Sequence, residues 1–63
     1  MTYLIKIESY KQKSGSSKDM LYQDDNGEWF IGPSHNIVIG KIYPVEISEG
    51  ILEDGYRHIV KFK

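Results

Sequence analysis

Two glycine turns divide this chain into short segments that favour β-strands. Asn26-Gly27 and Asp54-Gly55 each lie between runs rich in β-branched and aromatic residues. Asparagine or aspartate followed by glycine favours the tight turn of a β-hairpin, because these residues tolerate positive φ. Nothing between the two turns has the period of an amphipathic helix. The spacing therefore predicts a very small all-β domain whose strands are joined by hairpins.

The length of the chain is the next constraint. Its 63 residues form a single domain, 1–63, near the lower limit for folding alone. Because it has no cysteine, neither a disulfide nor a thiolate zinc site can stabilise it. Stability must come from the aromatic and β-branched residues or from a partner, which includes a second copy of the chain.

Charge and hydropathy exclude several classes of protein. The formal net charge of −1 argues against a strongly basic nucleic-acid binder and against an acidic mimic of DNA. No apolar run approaches the ~18 residues of a membrane span. The first residues, MTYLIKIES, lack the basic leader and longer apolar stretch of a signal peptide. We therefore expect a cytoplasmic protein with no membrane association.

Alternating apolar and polar residues predict the strands. The first runs from about Thr2 to Tyr10 and turns its odd positions to the core, and the last covers about Tyr56 to Phe62. Further strands are expected at about 20–23, 28–31 and 42–47, with Pro44 marking an edge or an unpaired N–H. Five or six short antiparallel strands close most naturally as an SH3-like barrel, with an OB-like barrel as the alternative.

The hairpin around Asn26-Gly27 determines which side chains face inward. A two-residue loop and a four-residue loop give the same parity, with Trp29 on one face and Phe30 on the other. The Trp29 face carries more large apolar groups, so we expect it to point inward. Leu21 and Phe30 are then outward, where they either cover a minor cluster or bind a partner.

Residues 11–19, KQKSGSSKD, contain no apolar residue and read as a loop. The loop carries Lys11, Lys13 and Lys18 against one acid, Asp19. It is either solvated and mobile or a basic lid over the phosphates or carboxylates of a partner.

The residue pattern contains no set that points to catalysis or metal binding. No predicted strand places a serine beside a histidine, and no glycine-rich loop leads into a helix. The two histidines, His35 and His58, have no cysteine to complete a zinc site. The acidic stretch 24–28 lacks the ligand spacing of an EF-hand and is better explained as a turn. We predict a protein that is not an enzyme, with no catalytic residue, metal ligand or cofactor.

Binding is the remaining class of function. The leading hypothesis is a protein-protein interaction module, because acidic and basic segments are separated and aromatic residues are abundant. Its predicted contacts are Leu21, Phe30, Lys11, Lys13 and Lys18. The alternative is a single-stranded nucleic-acid binder. It is not favoured, because the acidic segments would repel a polyanion. Its predicted contacts are Tyr10, Lys11, Lys13, Tyr56 and Arg57. A structural subunit of a larger assembly, built on a symmetric homodimer, is a third hypothesis.

One segment resembles a known family. Between Gly40 and Val45 the chain reads GKIYPV, which resembles the G-K-x-Y-x-V strand of small SH3-like barrel proteins of bacteriophages and mobile elements. A strand like residues 3–7 precedes that motif in the family, and a hairpin ending in an aromatic residue follows it. This chain departs from the family by inserting the Trp29 hairpin. The resemblance implies a small accessory protein, in some cases an inhibitor or regulator of a host protein, and it transfers no functional residue.

Overall fold

The computed structural model describes residues 2–12, 19–50 and 55–63. This part of the chain forms five strands, and no helix in it is long and apolar enough to cross a membrane. The strands are β1 (Thr2–Gln12), β2 (Asp19–Asp24), β3 (Trp29–Pro33), β4 (Ile42–Ile47) and β5 (Arg57–Phe62). They close into a barrel, so the predicted small all-β barrel is confirmed.

The strand order around the barrel is β1-β2-β3-β5-β4. Four of the five pairs are antiparallel, whereas β3 and β5 are parallel, with Phe30 opposite Arg57 and Ile31 opposite His58. The expectation of antiparallel pairing throughout is thus wrong for one pair. The parallel pair is possible because β4 lies in the long connection between β3 and β5 and provides the crossover. Pairing of β3 with β5 selects the OB-like closure over an SH3-like meander, in which β3 would pair with β4.

The core lies inside the barrel and follows the predicted period of two in β1 and β4. Its buried side chains are Ile5, Ile7, Tyr22, Phe30, Tyr43, Val45, Ile47 and Ile59. Gly32 brings β3 close to β5, because a Cβ at this position would lie 2.7 Å from the Cβ of Ile59. A larger residue there would hold the two strands apart.

β1 is the longest strand, and it bends so that its two halves pair with different neighbours. Its first half pairs with β4 from Thr2 to Lys6, and its second half pairs with β2. The register shifts between Ile7 and Ser9, which marks a β-bulge. Bulges increase local twist and let one strand serve two sheets at the corner of a barrel.

Pro44 lies within β4, between β1 and β5, rather than in an edge strand. Its carbonyl accepts the N–H of Lys63 at 3.0 Å, and the β4–β5 ladder ends at Val45 opposite Phe62. Amide and carbonyl groups of one strand residue point the same way. The missing N–H of Pro44 therefore lies on the β5 side, at the end of that ladder, where Lys63 still donates to the Pro44 carbonyl. The expectation of an edge strand is wrong, because β4 pairs with both β1 and β5.

The β2–β3 hairpin has a three-residue loop rather than one of two or four. The Asp24 N–H donates to the Glu28 carbonyl at 3.0 Å, and the Gly27 N–H donates to the Asp24 carbonyl at 3.1 Å. Gly27 has φ 84°, so a type I turn is followed by a left-handed residue. A shift of one residue moves every side chain of a hairpin to the other face. Phe30 is therefore opposite Tyr22 in the core, and Trp29 is outside.

The connection between β3 and β4 covers one end of the barrel. The His35 ring stacks on Phe62 with ring centres 4.2 Å apart, and Ile37 packs against the core. The Tyr43 hydroxyl accepts the Val38 N–H at 2.8 Å. These contacts tie an irregular segment to the barrel through side chains.

Candidate functional site

The two apolar residues predicted as partner contacts do not form an exposed patch. Phe30 is only 2% exposed and belongs to the core. Leu21 points away from the central cluster but is only 8% exposed. The prediction that they lie on an accessible outer face is wrong, because the three-residue loop reverses the face of Phe30 and because Leu21 is covered. Of the predicted basic contacts, Lys11 is exposed, and Lys13 and Lys18 lie outside the described residues.

The structure shows an exposed apolar surface elsewhere, on the outer side of the paired strands β1 and β4. We define the β1–β4 face as Thr2, Leu4, Lys6, Ile42, Pro44 and Glu46, which alternate along the strands with core residues. Leu4 is 72% exposed and Ile42 is 56% exposed. Leu4 lies directly opposite Pro44, and Ile42 lies directly opposite Lys6. Leu4 and Pro44 are in cross-strand contact range, and Ile42 is the next outward residue to Pro44 on β4, so the three form one apolar group with Lys6 beside Ile42.

Charged groups lie at both ends of the β1–β4 face. At one end, Glu46 Oε2 is 3.3 Å from Lys63 Nζ and accepts the Thr2 hydroxyl at 3.4 Å. Hydrogen bonds from the amino terminus and from Lys63 lower the pKa of Glu46, which keeps its carboxylate ionised. At the other end, Lys6 Nζ is 3.7 Å from Glu8 Oε2. An apolar centre with a polar rim is the arrangement typical of protein-protein interfaces.

The sequence carries only a partial signal for the β1–β4 face. The period of two in β1 places Leu4 on the side opposite Ile5 and Ile7, and the same period in β4 places Pro44 outside. An apolar residue at an outward position was the available signal. That signal does not reveal the surface by itself, because the pairing of β1 with β4 brings Leu4, Ile42 and Pro44 together only in three dimensions.

A second candidate surface lies on the outer side of β1, β2 and β3. Trp29 is half-buried there, opposite Gln23, and Lys11 Nζ lies 5.0 Å from the centre of its indole. This is a cation–π arrangement on the barrel exterior. Trp29 lies on the surface rather than in the predicted core because the hairpin loop has three residues instead of the expected two or four.

The residues predicted for nucleic-acid binding are only partly brought together. Tyr10 is 44% exposed and its ring centre is 6.4 Å from that of the buried Tyr22. Arg57 is on β5, where its Nε is 3.5 Å from Glu28 Oε2 and its guanidinium is 6.0 Å from the Tyr3 ring. Lys11 lies over Trp29, Lys13 is outside the described residues, and Tyr56 is half-buried. Arg57 is thus engaged with an acidic neighbour, and only Lys11 lies beside an outward-facing ring on the β1–β2–β3 surface.

The ionisable groups inside the barrel have structural partners. The Tyr22 hydroxyl donates to the Pro33 carbonyl at 2.6 Å, and burial raises the pKa of this tyrosine. It therefore remains a neutral donor over the ordinary pH range. Within residues 2–12, 19–50 and 55–63, no group of three or more histidine, aspartate or glutamate side chains is arranged to hold a metal ion.

Comparison with known proteins adds no relative to this picture: no family model, no curated protein and no solved structure matches the chain.

Proposed function

We propose that this protein is a non-enzymatic interaction module that binds a protein partner through the β1–β4 face. The observation that carries the proposal is the apolar group on two paired strands, in which Leu4 lies opposite Pro44 and Ile42 lies two residues before Pro44, with Leu4 and Ile42 both more than half exposed. A single exposed apolar residue is normal on a protein surface, whereas a continuous group marks a binding site.

The energetics favour a protein as the partner. Full burial of one leucine or isoleucine side chain is worth about 1.5–3 kcal/mol. Leu4 and Ile42 expose most of that surface, and Pro44 between them adds a rigid apolar contact. A nucleic acid offers little apolar surface to cover them, whereas a protein interface core does.

The proposal is tested by affinity capture with the tagged protein, in lysates treated with nuclease. A bacterial host lysate is the first choice because residues 40–45 resemble a strand motif of small phage proteins, although the strand order here is OB-like and theirs is SH3-like. The role we propose is that of an inhibitor or regulator in the host cytoplasm. Leu4→Lys should abolish recovery of the partner. Val60→Lys is the matched control, because Val60 is 58% exposed but lies on β5, outside the β1–β4 face. Equal recovery with wild type and Leu4→Lys would refute this assignment.

A second candidate function is single-stranded nucleic-acid binding on the outer side of β1, β2 and β3. The favouring observation is Lys11 above Trp29, since aromatic rings stack on bases and nearby lysines neutralise phosphates. Trp29 is the chain's sole tryptophan, so its fluorescence reports on this surface directly. Mixed oligonucleotides should quench it with an affinity that falls steeply as salt increases. Unchanged fluorescence at low salt would eliminate this candidate.

A further inference from the structure

We infer that this barrel opens along the line where β3 meets β5, while β5 stays paired with β4. We call this line the β3–β5 seam and define it by the residue pairs Phe30–Arg57 and Ile31–His58. The inference does not depend on binding at the β1–β4 face. It therefore goes beyond the proposed function, and either of the two can fail without affecting the other.

The seam is the shortest of the ladders that close the barrel. Over the described residues it has two residue pairs, whereas the β1–β2, β1–β4 and β2–β3 ladders have five each. It is also the one parallel ladder in this part of the chain, and parallel pairing is slightly less stable per residue.

The other side of β5 is paired more extensively. The β4–β5 ladder has three residue pairs, and a backbone hydrogen bond continues it at each end. The Ser48 N–H donates to the His58 carbonyl at 2.9 Å. The Lys63 N–H donates to the Pro44 carbonyl at 3.0 Å. β5 is therefore held more firmly by β4 than by β3.

Past the ladder, β3 and β5 touch without backbone pairing. A Cβ at Gly32 would lie 2.7 Å from the Cβ of Ile59, so the two strands are very close there. The ladder nonetheless ends at Ile31, and the last residue of β3 is Pro33, which has no N–H to donate. Side chains therefore have to complete the closure.

Two side-chain contacts join the strands beyond the ends of the ladder. Glu28 precedes β3, and its Oε2 is 3.5 Å from Arg57 Nε. His35 follows β3, and its ring stacks on Phe62 of β5 with ring centres 4.2 Å apart and planes 5° apart. The ion pair is at the surface, where such pairs contribute little to stability. The ring stack is thus the contact that fastens the far end of the seam.

The backbone of β5 provides an internal test. Successive residues of a strand turn their N–H and C=O groups to opposite neighbours. The hydrogen bonds of His58 and Lys63 show that both face β4, so Ile59 faces β3. Lys61, two residues before Lys63, faces β4. The register shift at Val60 accounts for the change of parity between these two parts of the strand.

Opening of the seam would expose the Ile59 amide to water and leave the Lys61 amide protected. Hydrogen exchange of the full chain, followed amide by amide with NMR, measures both. We expect the protection factor of Ile59 to be about tenfold lower than that of Lys61. Side-chain burial would give the opposite order, because Ile59 is only 4% exposed and Lys61 is at the surface.

The ring stack is tested by substitution. His35→Ala removes the ring and should lower the protection of Ile59 further, with little change at Lys61. His35→Phe keeps a ring that can stack on Phe62 and should restore wild-type protection. Asn36→Ala is the matched control, because Asn36 is the exposed neighbour of His35 in the same connection. It should leave both amides unchanged.

Three results would contradict the inference. Equal protection of Ile59 and Lys61 in the wild type would mean that both amides exchange through one opening of the whole barrel. Lower protection at both than in the β1–β4 ladder would mean that β5 leaves β4 as well. An equal loss at both in His35→Ala would show that the stack stabilises the whole barrel rather than the seam. The wild-type comparison needs no substitution, so it decides the matter even where a variant does not fold.

Discussion

The Asp24 carboxylate holds the backbone of Glu28 across the β2–β3 turn. Asp24 Oδ1 accepts the Glu28 N–H at 2.9 Å and the Asn26 N–H at the same distance. Asp24 is only 8% exposed, and both hydrogen bonds are partly buried. This one side chain stabilises the three-residue loop, and the loop in turn decides that Phe30 faces inward and Trp29 faces outward.

Replacement of Asp24 should therefore destabilise the domain more than replacement of its exposed neighbour. Asp24→Ala leaves two backbone donors without their acceptor, which should cost about 1–3 kcal/mol. Asp25→Ala is the matched control, because Asp25 is exposed in the same loop, and its effect should be within about 0.5 kcal/mol. Urea unfolding followed by circular dichroism gives both values. Equal effects would mean that the Asp24 side chain does not stabilise the turn.

The reversed hairpin parity makes a second prediction, on two adjacent aromatic residues. Phe30→Leu removes buried carbon from the core and should cost about 1–2 kcal/mol, at ~0.8 kcal/mol per buried CH₂. Trp29→Leu changes a half-buried ring on the exterior and should cost less than half as much. Thermal unfolding of the two variants distinguishes the registers. A larger loss for Trp29→Leu would support the two- or four-residue loop instead of the observed one.

Features set by neighbouring residues in one strand could be predicted from the sequence, whereas features set by segments far apart in the chain could not. In β1 and β4 the inward positions follow from the period of two, and Ile5, Val45 and Ile47 are buried as expected. That pattern is local to each strand. Which face a hairpin residue occupies depends on whether its loop has an odd or an even number of residues. Asp24 pairs with Glu28 and accepts hydrogen bonds from the loop, which leaves the three residues 25–27 in the loop instead of two or four.

A similar one-residue effect occurs in β5. The register shifts between the residues opposite Glu46 and Ile47, so Ile59 faces the core and Val60 is 58% exposed. Strict alternation would place Ile59 and Val60 the other way round. The parallel β3–β5 pair and the β1–β4 face arise from contacts between distant segments, and no local pattern encodes them.

The close contact at Gly32 leads to a third prediction. Gly32→Ala places a Cβ 2.7 Å from the Cβ of Ile59, so β3 and β5 must separate, at a cost of about 1–3 kcal/mol. Ile59→Val should not relieve this clash, because valine keeps the Cβ that makes the contact. Ser34→Ala is the control, because Ser34 is exposed two residues further along the chain and should tolerate the change within about 0.5 kcal/mol. Denaturant unfolding of the three variants tests this. A neutral Gly32→Ala would show that the barrel has slack at the β3–β5 contact.

Tyr22 predicts how stability depends on alkaline pH. Burial raises the pKa of its hydroxyl above the ordinary 10.0, so the folded state holds this proton more tightly than the unfolded state. The stabilising contribution is complete below the unfolded pKa and is lost as pH rises through the folded pKa. Tyr22→Phe removes the hydrogen bond to the Pro33 carbonyl and should cost about 1 kcal/mol near neutral pH. Above about pH 10 the difference between Tyr22→Phe and wild type should shrink, because phenylalanine has no proton to lose. Urea midpoints of both proteins at neutral and alkaline pH measure this difference, and a constant gap would show that ionisation of Tyr22 is not coupled to unfolding.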